Sequence, residues 1–90
     1  MQATIQRYLR YLQVERNASE YTIKSYREDL LSLADYLTES LGDCPNPASI
    51  DPQILRSYVA AMHEAQYART SIARRLASMR GLFKFAQREG

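Results

Sequence analysis

The stretch Glu20–Ser40, "EYTIKSYREDLLSLADYLTES", decides the fold. Ile23, Tyr26, Leu30, Leu33 and Leu37 follow one another at steps of three and four. At 100° per residue those steps draw one apolar stripe down a helix of several turns. A strand would alternate with a period of two, and no useful length of the chain does so. Ser19 stands where an N-cap belongs, and Gly42 stands where the helix must stop. A helix this long with a single apolar face must be covered by other elements.

Those elements can be read on either side. Upstream, a helix is predicted from about Gln2 to Arg16, with Ile5, Leu9 and Leu12 inward and Tyr8 beside them. Downstream, "GDCPNPASID", Gly42–Asp51, has the composition of a loop. Asp51 then caps a third helix with Pro52 at its first position, where a missing N–H costs nothing. Its stripe is Ile54, Tyr58, Ala61 and Ala65, with Val59 and Met62 alongside, and it ends near Gln66. After the short link "YAR", Tyr67–Arg69, a fourth helix runs from about Thr70 to Arg88. Ile72, Leu76, Met79 and Phe83 form its inward stripe. The expected fold is all-α: one compact bundle of four or five helices in a single domain of 90 residues.

The bulk composition excludes several classes. A chain that is 46% hydrophobic and 24% charged folds and is not disordered. No stretch is long and apolar enough to span a bilayer, and "MQATIQRYLRYLQ" is periodic and charged, unlike a signal peptide. Cys44 is the one cysteine and has no partner for an internal disulfide. Together these favour a cytoplasmic protein. His63 is the one histidine and makes no metal site with its neighbours. There is no Gly-rich phosphate loop, no Ser/His/Asp set, and no tyrosine with an activating neighbourhood. Tyr8, Tyr26 and Tyr58 lie on or beside apolar stripes and are expected in the core. Glu28 and Asp29 read as ordinary exposed charges.

The net charge of +2 hides an asymmetry. From Tyr67 onward there are six basic residues, Arg69, Arg74, Arg75, Arg80, Lys84 and Arg88, against Glu89 alone. The rest of the chain is net acidic. A helix gathers cations near its C-terminus to suit its dipole, which accounts for Lys84 and Arg88. It does not account for Arg69, Arg74 and Arg75 at the helix start. The side opposite the predicted stripe carries Thr70, Arg74, Ala77, Ser78, Gly81, Lys84 and Arg88, cationic at its flanks and nearly bare between them. Such a face suits close approach to an anionic surface. Gly81 fits either that approach or a tight helix–helix contact, and Arg75, at the edge of the stripe, fits bracing the bundle through its stem.

Two helix starts share a composition. "ASEYTIKSY" brings Ser19, Thr22, Lys24 and Ser25, and "ARTSIARR" brings Arg69, Thr70, Ser71, Arg74 and Arg75. Free N–H groups, hydroxyls and cations together suit phosphate. Capping explains one hydroxyl at each start. The expected DNA-binding set is these nine residues with Ser78, Lys84 and Arg88.

The stretch Tyr11–Leu37, with Asn17, Ser19, Thr22, Tyr26, Asp29 and Leu30, resembles the opening of the core-binding domain of tyrosine recombinases of the phage-integrase family. "SIARRLASMRGLFKFAQREG" looks like its closing helix, with Ser71, Ile72, Arg74, Arg75, Leu76, Ser78, Arg80, Phe83, Glu89 and Gly90. The nearest subgroup is the Xer recombinases. The resemblance spans the chain and implies a SAM-like bundle forming half of a clamp on duplex DNA. Its second and fourth helices would meet the major groove. It further implies that catalysis belongs to a separate C-terminal domain absent from this chain, that this part is not itself an enzyme, and that no cofactor is needed. The implied partners are double-stranded DNA and, in the full-length protein, other recombinase subunits in a synaptic complex, with Tyr11 or Arg7 available to them. The isolated domain is expected to be monomeric, with no membrane partner. Ala68 and Arg69 depart from the family's usual small polar residue. The competing reading of the basic face is a helical interaction module for an acidic protein.

Overall fold

The computed structural model describes residues 1–42 and 46–89, so Cys44 and Gly90 lie outside the described residues. The chain forms helices α1 (Gln2–Val14), α2 (Glu20–Leu41), α3 (Pro52–Glu64) and α4 (Arg69–Glu89), with a short 3-10 turn at Pro47–Ser49. There is no strand among the described residues. None of these helices is long and apolar enough to cross a membrane.

The local signals act as their chemistry dictates. The Thr22 N–H donates to Ser19 Oγ at 3.1 Å, closing the start of α2. Gly42, at φ 77°, takes the left-handed conformation that ends it, and its N–H donates to the Thr38 carbonyl. The Gln53 N–H donates to Asp51 Oδ1 at 2.9 Å, and Pro52 opens α3. Asn17 turns the chain between α1 and α2 at φ 52°, a region that Asn tolerates.

Packing divides the core in two. One cluster joins Ile5, Tyr8 and Leu9 of α1, Leu30 and Ala34 of α2, and Leu82 and Phe85 of α4. The other joins Leu33 and Leu37 of α2, Tyr58 and Met62 of α3, and Ile72 and Met79 of α4. Phe83 packs against both. Helix α4 therefore lies against α1, α2 and the 3-10 turn at once.

That position corrects the predicted inward face of α4. Its buried residues are Ile72, Ser78, Met79, Leu82, Phe85 and Ala86, while Leu76 and Phe83 are only half-buried. Ser78 is 0% exposed, and its Oγ donates to the Arg75 carbonyl at 2.9 Å. Gly81 faces α1. A Cβ added there would run into the Tyr8 hydroxyl and lie 2.9 Å from Tyr8 Cζ. The bare middle of the helix is thus a contact surface for α1 at Gly81 and a buried surface at Ser78. Only Ala77 of that run stays exposed.

Replacing Gly81 by Ala gains about 1 kcal/mol of helix propensity. The collision with a packed ring costs about 1–3 kcal/mol. Gly81→Ala is therefore expected to destabilise the domain, and Tyr8→Phe in the same chain to recover part of the loss. Urea denaturation of the two single variants and the double variant checks this. A stabilised Gly81→Ala would show that α1 and α4 do not meet so closely.

Candidate nucleic-acid interface

Helix α4 runs back along α2. Arg74, near its start, reaches Asp29 in the middle of α2. Lys84 and Arg88, near its end, share a cleft with Thr22 and Tyr26 at the start of α2. The two similar helix starts therefore sit at opposite ends of one antiparallel pair and do not form a single pocket.

The expected contact residues fall into three groups. Ser19, Lys24, Arg69, Thr70, Lys84 and Arg88 are exposed. Thr22, Ser71, Arg74 and Arg75 are half-buried. Ser25 and Ser78 are buried, so their hydroxyls present nothing to an outside surface. The exposed members lie on α2 and α4 or at the cap of α2, and Tyr21 in the first turn of α2 is 74% exposed.

Arg74 and Arg75 have a different place from the one expected. Asp29 is not an exposed charge, since only 2% of it is accessible. Arg74 Nε and Nη2 donate to its two carboxylate oxygens, both at 2.9 Å. That paired geometry is the strongest form of carboxylate–guanidinium contact, and hydrogen bonding to Asp29 raises the Arg74 pKa. Arg75 Nη1 donates to Ser32 Oγ at 2.9 Å and to the Tyr58 hydroxyl at 3.1 Å. Its Nε is buried and has no hydrogen-bond partner, lying 3.7 Å from Asp29 Oδ1. Its guanidinium also sits 4.8 Å from the centre of the Tyr67 ring. Bracing through Arg75 is what the structure contains, and the brace is polar as well as apolar. The expected readout by Arg74 is altered in the same way: two of its five N–H donors are spent on α2, although 39% of the side chain remains accessible.

The positive charge available to a partner shrinks accordingly. Arg69, Arg80, Lys84 and Arg88 of α4 carry no ion pair among the described residues. Sequence reasoning missed Arg16 and Tyr26, which join the cleft at the end of α4. No periodic signal marks Arg16, because it lies in the turn after α1.

Residues 5–90 match the family model described as "Phage integrase, N-terminal SAM-like domain", and the chain belongs to that family. Its curated relatives include the tyrosine recombinase XerC of Pelotomaculum thermopropionicum, 40% identical over 99% of this chain and 30% of the relative. The tyrosine recombinase XerC of Oceanobacillus iheyensis is 37% identical over 96% of this chain and 28% of the relative. The tyrosine recombinase XerD of Yersinia pestis is 41% identical over 94% of this chain and 27% of the relative. The chain thus spans less than a third of the length of these relatives. No solved structure matches it significantly.

Proposed function

We propose that this domain is a DNA-binding part of a site-specific tyrosine recombinase, one half of a clamp on duplex DNA whose strand-transfer chemistry is supplied by a separate C-terminal catalytic domain. Helices α2 and α4 face the major groove in this reading. The observation that carries it is the exposed set Ser19, Lys24, Arg69, Thr70, Lys84 and Arg88 along one antiparallel pair. Exposed hydroxyl residues and cations without ion pairs are what phosphate contact requires. The partners in this reading are double-stranded DNA and, in the longer protein, further recombinase subunits, in the cytoplasm.

The test is a salt titration of duplex binding. Roughly four to six neutralised phosphates give a log–log slope of about −4 to −5, so affinity falls by several hundredfold between 50 and 200 mM salt. Fluorescence anisotropy with a labelled random-sequence duplex measures it, with an acidic polypeptide as competitor. A slope near zero, or equal binding to the polypeptide, would transfer the basic face to an acidic protein partner.

A further inference from the structure

A cleft of about 410 Å³ opens between the turn after α1, the start of α2 and the last turns of α4. Three cations from two parts of the chain, Arg16, Lys84 and Arg88, line it with three tyrosines, Tyr8, Tyr11 and Tyr26. No carboxylate lines it, and none of the three cations has an ion pair among the described residues. Like charges gathered in one concavity repel, and that repulsion is relieved when an anion enters.

Tyr11 fills part of that role in the free domain. Hydrogen bonding to Arg88, and next to Arg16, holds its hydroxyl below the usual phenol pKa. The Arg88 guanidinium also lies 5.6 Å from the centre of the Tyr11 ring. The ring itself is fixed, stacked with Tyr8 at 6.5 Å and tilted against Phe85 at 5.3 Å between centroids. The Arg88 guanidinium therefore lies against a ring anchored on the core, and Arg16 shares the cleft with it. A guanidinium pair suits the paired oxygens of a phosphate better than any other anion a groove surface offers. Lys84 adds a third charge, and the tyrosine and Thr22 hydroxyls are donors for the remaining oxygens.

We infer that this cleft is a seat for one phosphate group, held by Arg16, Lys84 and Arg88, with the Tyr11 ring placing the Arg88 guanidinium. The occupant rests on the DNA-binding reading above: it is one backbone phosphate of the duplex. Arg16 then becomes a contact residue from outside α2 and α4, and it ties the first helix to the bound strand.

The experiment uses the whole 90-residue chain with Arg16→Gln, Lys84→Gln and Arg88→Gln made singly. Arg10→Gln and Arg56→Gln, exposed arginines outside the cleft and outside α2 and α4, are the controls. Each cleft variant is expected to weaken binding to all duplex sequences alike and to reduce the salt slope by about 1. The Arg16 and Arg88 Nε–H signals are expected to shift in NMR spectra when duplex is added. Tyr11→Phe keeps the ring contacts and is expected to lose less than Arg88→Gln. Slopes equal to wild type in the cleft variants, or equal losses in the two controls, overturn the seat and leave DNA binding intact. Inorganic tripolyphosphate is the second probe. Shifts of the Arg16 and Arg88 signals that disappear in Arg88→Gln support the seat, and their absence overturns it. A chain that takes tripolyphosphate in the cleft but does not bind duplex supports the seat and overturns the DNA reading alone.

Discussion

Asp29→Ala is expected to lower the unfolding free energy by about 3–5 kcal/mol, the cost of leaving buried charge without its counter-ion. Asp29 is the one carboxylate between two arginines: Arg74 in paired contact at 2.9 Å and Arg75 with its Nε at 3.7 Å. Remove it, and Arg75 keeps Ser32 and Tyr58 but holds a guanidinium that is only 17% exposed with no anion beside it. A domain of this length holds roughly 5–13 kcal/mol in total. Asp29→Ala should therefore keep only about 0–10 kcal/mol and unfold at a clearly lower urea concentration. Replacing the ion cluster wholesale is a different matter. Asp29→Leu combined with Arg74→Met and Arg75→Met removes every buried charge together, and such exchanges are often neutral or stabilising. Urea denaturation of the single and triple variants measures both. A loss below about 1 kcal/mol for Asp29→Ala would mean that both arginines swing to solvent at little cost, contrary to their burial here.

The same cluster changes what a mutation of Arg74 reports. On an outward-facing helix surface, Arg74→Ala would remove a DNA contact and leave the bundle untouched. Bonded to Asp29 from α4, it removes two of the three side-chain hydrogen bonds between α2 and α4 among the described residues. A weakened variant would not distinguish lost contact from lost positioning. Lys84, exposed and without an ion pair among the described residues, is the site where affinity alone is read.

How much of this was legible depended on the kind of signal. The helix boundaries were, because Ser19, Gly42, Asp51 and Pro52 act through their own backbone neighbours and need no tertiary context. The stripe of α2 was legible too, since Leu30, Leu33 and Leu37 face the interior whichever helices cover them. The chain's family was legible in the spaced residues of α2 and α4. Asp29 was not. It sits three residues after Tyr26 and four before Leu33, inside the inward arc, and only its charge argued for solvent. A carboxylate at a stripe position, with two arginines in a later helix, is the pattern that would have shown it. The phosphate-like cleft was also hidden, because Arg16, Tyr26 and Lys84 come together only once α4 folds back along α2.

The inward face of α4 failed to appear for a related reason, and it leads to the second large effect. Ile72, Leu76, Met79 and Phe83 make the more regular stripe, and a helix with one neighbour would bury it. Helix α4 has neighbours on several sides, so it buries a broader arc that takes in Ser78, Leu82, Phe85 and Ala86. Leu82 is 0% exposed within the cluster shared with α1 and α2. Leu82→Ala should therefore cost about 2–5 kcal/mol, the range for emptying a leucine site in a packed core. Leu76 lies half-buried at the edge of the second cluster, and Leu76→Ala should cost markedly less. Chemical denaturation of the two variants ranks them. The order matters for function, because it fixes the rotation of α4 about its axis. With Leu82 inward, Ser78 is sealed inside and Gly81 packs against Tyr8, while Ala77 and Lys84 look outward toward the proposed groove. If Leu76→Ala proved the costlier change, the helix would be turned the other way, Ser78 and Gly81 would return to the surface, and the face offered to DNA would be the bare one.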